Sequence, residues 1–232
     1  MSALVLDRAA TLAAVKRASL TVQRGHTLPI LQNLLLQHDG QGTLTVTGTD
    51  LETEISARCD AGAGEPLEIT LPAHKLARIL SGLPQAEVKL TLGTARATLL
   101  AGSARYQLGM LPAADFPRLD TGASRFAPVA LDAPALTALL AHTSYAAARQ
   151  DVRYYLNAVH LSVRNGRLTA TATDGCQLAR AAMPLPGEFG ADEALIAVGT
   201  VETLRKLLPA AGTVDLAVSD QRLIQLRAGP VM

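Results

Sequence analysis

Tryptophan is absent from this 232-residue chain, and its aromatic side chains are limited to three phenylalanines and four tyrosines. A core anchored by aromatic rings is thereby excluded, and Leu, Ala and Val must pack it from strands and amphipathic helices. Only two cysteines occur, Cys59 and Cys176, too few for a disulfide framework, and they point to a reducing compartment. No apolar run approaches the roughly 18–20 residues that cross a bilayer. The opening MSALVLDRAA lacks a basic stretch followed by an apolar one, so the expectation is a cytoplasmic protein without a secretion signal. Also missing are a phosphate-cradling glycine loop, a dinucleotide fingerprint, an HExxH helix and a nucleophile elbow. The five histidines show no metal-ligand spacing with the cysteines, so no metal, no cofactor and no catalytic residue is expected.

What is present is a repetition. GTLTVTGTD at 42–50 returns as GRLTATATD at 166–174, an offset of 124. LVLDRAATLAAV (4–15) aligns with VALDAPALTALL (129–140), LARILSGLP (76–84) with LRKLLPAAG (204–212), and VKLTL (88–92) with VDLAV (214–218). ATLLAG (97–102) aligns with IQLRAG (224–229). Blocks matched in one order at a nearly constant offset imply a duplicated domain of about 125 residues. The boundaries expected are 1–118, a connection at 119–126, and 127–232, within the proline- and acid-bearing stretch LPAADFPRLDTGAS (111–124).

Each copy reads as an opening strand, a helix headed by Asp7 or Asp132, four strands, a second helix and three more strands. Helices are expected at 7–21, 72–83, 132–149 and 199–209; first-copy strands are expected at 2–6, 31–38, 42–48, 51–59, 66–71, 87–92, 96–101 and 104–110. Asp39-Gly40 and Asn165-Gly166 signal hairpins. The class is α+β, two helices on antiparallel sheets per copy, with eight strands in the first. After AGS the first copy continues as ARYQLGMLP, but after RAG the second has only Pro230-Val231-Met232 and is expected to be one strand short. Thr-Asp at 49–50 and 173–174 reads as a turn or cap rather than an acid pair.

Charge is unevenly placed. The four expected helices carry eight bases (Arg8, Lys16, Arg17, Lys75, Arg78, Arg149, Arg205, Lys206) against three acids (Asp7, Asp132, Glu202), in a chain whose net charge is only +1. Positive helices on a nearly neutral protein suit a polyanion held through its phosphates, without sequence preference. Surface helices also carry such charge without any ligand.

At TLPILQNLLL, TGTDLETEI, LPAADFP, QDVRYYLN and ATDGCQLA the chain resembles the beta subunit of bacterial DNA polymerase III, the sliding-clamp family, from residue 1 to about 229. The resemblance implies tandem DNA-clamp domains, the first two of three in a subunit. Such subunits pair head to tail into a six-domain ring, with helices lining a hole around duplex DNA. The implied role is a non-catalytic processivity factor that tethers the polymerase by topology. Its implied partners are DNA polymerase III's catalytic subunit, the clamp loader, and other polymerases and repair proteins that carry clamp-binding peptides. Gln150 falls on a DNA-contacting glutamine of the family and Arg24 beside a DNA-contacting arginine, joined by Arg8, Lys16, Arg17, Arg78, Arg205 and Lys206 on the helices. Leu156, Thr173, Gly175, Cys176, Gln177 and Leu178 fall on the second-domain half of a peptide pocket. Lys75, Ile79, Arg105, Tyr106 and Leu108 fall on the homodimer interface. Where the family commonly has His-Arg, this chain has Cys176-Gln177, which removes a basic rim. Two alternatives stand beside the clamp: a truncated, non-encircling paralogue that binds clamp-loader or clamp partners, and a small hydrolase using Cys176, although with no base beside it in sequence Cys176 is expected to be a buried, inert thiol.

Overall fold

The computed structural model describes residues 3–119, 128–185, 193–218 and 223–229. The chain divides into two compact units, with the break after Leu119.

In the first unit β1 (Ala3–Asp7) runs directly into α1 (Arg8–Ala18). Asp7 stays extended and its carboxylate accepts the Ala10 N–H at 2.6 Å, satisfying one of the helix's orphan donors. Strands β2 (Asn33–His38), β3 (Thr43–Thr49), β4 (Glu54–Asp60) and β5 (Leu67–Pro72) form one antiparallel sheet in the order β4-β3-β2-β5. After α2 (Ala73–Gly82), strands β6 (Glu87–Leu92), β7 (Arg96–Ala101) and β8 (Ala104–Gly109) join β1 as β1-β6-β7-β8. α1 packs on β3 and β4 and against α2, with Thr11, Ala14, Val15 and Ala18 inward. Fully buried leucines, among them Leu34, Leu36, Leu44, Leu71 and Leu80, fill the space between. The core is aliphatic, as the composition requires.

The second unit repeats the plan. β9 (Val129–Asp132) leads into α3 (Ala133–Ser144), again capped by an aspartate, Asp132, on the Ala135 N–H at 2.9 Å. β10 (Ala158–Arg164), β11 (Arg167–Thr173), β12 (Leu178–Pro184) and β13 (Glu193–Ala197) give the order β12-β11-β10-β13. α4 (Val198–Leu207) follows, then β14 (Thr213–Val218) and β15 (Ile224–Arg227), forming β15-β14-β9. Among the described residues the second unit therefore has seven strands to the first unit's eight. Asn165 and Gly166 sit at φ +52° and +68° between paired Arg164 and Arg167, a two-residue turn of the kind that suits strand twist.

Several boundaries differ from expectation. α1 ends at Ala18 rather than 21, where the Ser19 and Thr21 hydroxyls donate to the Val15 and Ala18 carbonyls at 2.6 and 3.0 Å. α3 ends at Ser144 rather than 149, because the following alanines, buried though they are, belong to a loop. Pro29–Gln32 is a 3-10 turn, so β2 starts at Asn33, and residues 51–53 are a turn, so β4 starts at Glu54. Residues 111–119 are packed on the first unit: Thr70 donates to the Leu111 carbonyl at 2.8 Å, Phe116 is buried, and Arg118 forms a two-pronged ion pair with Glu54 at 3.0 Å. Of the expected 119–126 connection, only Leu119 lies within the described residues. No helix among the described residues is long and apolar enough to cross a membrane.

Candidate DNA-facing helices and peptide pocket

With the observed bounds, the four helices hold seven bases and one acid, because Asp7 and Asp132 are caps and Arg149 lies beyond α3. α1 ends on Lys16 and Arg17 and α4 on Arg205 and Lys206, all exposed, where cations also complement the helix dipole. On α2, exposed Lys75 and Arg78 lie opposite the buried stripe of Ala73, Leu76 and Leu80. Arg8 is engaged inside the unit: its Nε donates to the Gln85 carbonyl at 2.9 Å and its Nη1 to the Leu80 carbonyl at 3.3 Å. That ties the start of α1 to the end of α2.

The loops after α1 and α3 present Arg24 and Gln150. In each, an exposed arginine precedes a residue in the left-handed region: Arg24 before Gly25 at φ +72°, and Arg149 before Gln150 at φ +64°. Left-handed backbone at a glutamine costs about 1 kcal/mol or more, so the loop holds Gln150 out against its own preference. Arg149 is paired with Glu202 of α4 at 2.6 Å. Arg24 has no ion-pair partner among the described residues.

Five of the six residues expected to form a peptide pocket lie at the β11–β12 turn. Thr173 Oγ1 accepts the Gly175 N–H at 3.1 Å and donates to the Gln177 carbonyl at 2.6 Å. One Asp174 carboxylate oxygen accepts the N–H groups of Cys176 and Gln177, both at 2.8 Å, and the other takes the Gln177 amide at 3.1 Å. Those bonds, the Gln177 and Cys176 N–H groups first, lower the Asp174 pKa. The Thr-Asp pair is thus turn chemistry. It leaves Cys176, Gln177 and Leu178 exposed, Leu178 at 67 %, so Cys176 is not the buried thiol expected, because the turn points it away from the core.

Leu156 comes from the facing segment, the 3-10 turn Tyr154–Asn157, where it is buried. Arg153 joins the two: its carbonyl accepts the Leu156 N–H at 2.9 Å, and its guanidinium sits 3.6 Å from where a Gly175 side chain would begin. Asp151 holds that guanidinium through Nε at 3.0 Å and Nη2 at 2.9 Å, which raises the Arg153 pKa and holds Asp151 at about 2. Val152, Tyr154 and Tyr155 are exposed around it, the two rings packed edge to face at 5.8 Å. None of Val152, Arg153, Tyr154 and Tyr155 is among the pocket residues expected from the sequence. The two segments lie apart in sequence, and only the fold brings Arg153 beside Gly175.

Of the residues expected at the homodimer interface, Lys75, Arg105 and Tyr106 are exposed and Ile79 is half-buried, but Leu108 is buried within the unit.

Two tandem units, each with two helices on two antiparallel sheets, and with bases on α1, α2 and α4, define a clamp-type architecture. Residues 2–120 match the DNA polymerase III beta subunit, N-terminal domain, and residues 130–231 match its central domain. The chain is 38 % identical over 231 residues to the beta sliding clamp of Caulobacter vibrioides, covering 95 % of this chain and 61 % of that protein. It is 41 % identical over 184 residues to the beta sliding clamp of Salmonella typhimurium, covering 78 % of this chain and 50 % of that one. The crystal structure of the DNA polymerase III subunit beta from Pseudomonas aeruginosa superimposes with a TM-score of 0.92 at 34 % identity, over 99 % of this chain and 63 % of its own. This chain belongs to the DNA polymerase III beta subunit family. It covers between half and about three fifths of the length of these relatives.

Proposed function

We propose that this chain supplies the first two domains (1–118 and 127–232, joined at 119–126) of a sliding-clamp processivity factor for bacterial DNA replication. The observation that carries the reading is the placement of charge: seven bases and one acid on four helices, in a chain of net charge +1. Helices so charged meet duplex phosphates without reading bases, which is what a sliding tether needs. Lys16, Arg17, Arg78, Arg205 and Lys206 would supply phosphate contacts, with Arg24 and Gln150 reaching from the loops and Arg8 adding charge while fixing α1 to α2. The pocket of Leu156, Thr173, Gly175, Cys176, Gln177 and Leu178 would take apolar anchors of peptides from the polymerase's catalytic subunit, the clamp loader, and other polymerases and repair proteins. Lys75, Ile79, Arg105 and Tyr106 would meet a second subunit of a homodimeric ring, whereas Leu108, expected there too, packs into the unit's own core. The role is non-catalytic and cytoplasmic.

Expressed by itself, the 232-residue chain should bind duplex DNA at low salt and release it as salt rises, because phosphate contacts release counterions. Absence of binding at low salt, or binding indifferent to ionic strength, overturns the assignment of the helices. A fluorescent peptide with Leu and Phe anchors should bind the second unit, and Leu178→Asp should weaken it roughly tenfold, since buried apolar anchors dominate such interfaces.

A second reading, a non-encircling binding module, is favoured by the Cys176-Gln177-Leu178 turn, which is exposed in the second unit without a second subunit. Nicked circular DNA separates the two. Retention at high salt that vanishes when the circle is cut supports the ring, whereas equal release from circle and line supports the module. For the chain alone the expected result is equal release.

A further inference from the structure

The two units place an arginine at the same point, yet only one of them is neutralised. Arg24 and Arg149 each precede the left-handed residue of the loop after the unit's first helix, at an offset of 125. The second helices, α2 and α4, are both ten residues long, and their fifth residues are Ala77 and Glu202. Glu202 is the single acid on the four helices and closes on Arg149 at 2.6 Å. The pair is open to solvent, with side chains 70 % and 42 % exposed, so it contributes little to folding.

We propose that Glu202 is a charge brake on the DNA-facing surface. It holds Arg149 in an internal ion pair and withholds one cation from the phosphate backbone in the second unit, where the first unit leaves Arg24 available. The inference rests on the reading that the helices face duplex DNA. A sliding protein gains from such a device, since each added phosphate contact strengthens the hold while adding nothing to topological tethering. The brake is also graded. Binding a phosphate requires Arg149 to exchange one anion for another, whereas Arg24 has only water to give up.

The test is a salt titration of binding to a linear duplex by the 232-residue chain, with Glu202→Gln and a reciprocal Ala77→Glu that installs the acid in the first unit. Glu202→Gln should tighten binding about two- to five-fold, the range that an exposed ion pair spans. It should also steepen the dependence of log K on log salt by up to about one contact. Ala77→Glu should shift both quantities the other way. In an Arg149→Ala background Glu202→Gln should have clearly less effect, because the acid acts through that arginine. If wild type binds in a salt-dependent way but Glu202→Gln changes neither affinity nor slope, the brake is overturned and the DNA reading stands. Full retention of the Glu202→Gln effect without Arg149 likewise overturns the brake, as a general field effect would then explain it. If wild type shows no salt-dependent binding, the DNA reading fails and takes the brake with it.

Discussion

The strand-ending segments Thr47-Gly48-Thr49-Asp50-Leu51 and Thr171-Ala172-Thr173-Asp174-Gly175 do the same work with their small residues exchanged. In both, the threonine hydroxyl accepts an N–H two residues on, at 3.1 Å, and the aspartate carboxylate accepts the next two N–H groups. Both turns pass through left-handed backbone, at Leu51 (φ +78°) and Gly175 (φ +93°). The second copy puts glycine where the backbone asks for it. The first places it three residues earlier, where space asks for it: a Cβ on Gly48 would run into the Ala18 carbonyl at the end of α1, 2.9 Å from Thr21 Oγ1 and 3.0 Å from a Leu34 methyl. Ala172 carries that methyl in the second unit and is buried without difficulty. The difference teaches that the duplicated pattern conserves hydrogen bonds at the turn, while the distance between helix and sheet is set separately in each unit.

The sharpest way to break this comparison is to exchange the residues. Gly48→Ala should cost the first unit about 3 kcal/mol, the upper part of the range for overpacking, because the obstacle is backbone. Ala172→Gly should cost only about 1 kcal/mol, from added chain entropy and a lost methyl. Urea midpoints of the two variants measure both. Equal losses would mean that α1 and α3 approach their sheets alike.

A smaller effect is expected at the turn itself. Leu51→Gly should stabilise by up to about 1 kcal/mol, since the leucine is half exposed and leaves a strained conformation behind. Gly175→Ala should destabilise by a similar amount, with no steric cause: the nearest atom to the new methyl, Arg153 Nη2, lies at ordinary contact distance, 3.6 Å. Thermal melts that show no change at either position would remove backbone strain as the reason for the exchange.

How much of this was open to sequence reasoning depends on whether the signal was local. The Asp7 and Asp132 caps, the Asn165-Gly166 turn and the Thr-Asp turns each rest on residues within four positions of one another, and they formed as read. The repeat made the sequence of elements in one copy predict that in the other. What escaped were contacts made across the fold. Arg8 counts as a surface cation by position but finds carbonyls 72 and 77 residues away. Arg153 reaches the Gly175 turn, and Glu202 reaches Arg149 across 53 residues. The reach of α1 and α3 was overestimated because Ser19, Thr21 and the alanines of 146–148 suit a helix by composition, while their hydrogen bonds close the chain into a loop.

The smallest expected difference is in how each unit meets acid. Asp39, in the β2–β3 turn, is held at about 2 against an ordinary 3.8, first by the Thr43 N–H, with the Gln41 and Gly42 N–H groups adding to it. Asp151 reaches the same value by another route, first through the Arg153 guanidinium and then the Arg153 N–H. For a carboxylate depressed on folding, the stabilisation is complete above its ordinary pKa and disappears as pH falls through the folded value. Both units should therefore weaken between about pH 4 and pH 2, and Asp39→Asn or Asp151→Asn should flatten that decline in its own unit. Salt separates them: an exposed guanidinium–carboxylate pair is screened, whereas short backbone hydrogen bonds are barely touched. Raising the ionic strength should thus shrink the difference between wild type and Asp151→Asn while leaving that between wild type and Asp39→Asn in place. Melting curves at pH 2, 3 and 4, in low salt and in high salt, read both differences. An equal response to salt would show that the two carboxylates are held by the same kind of bond after all.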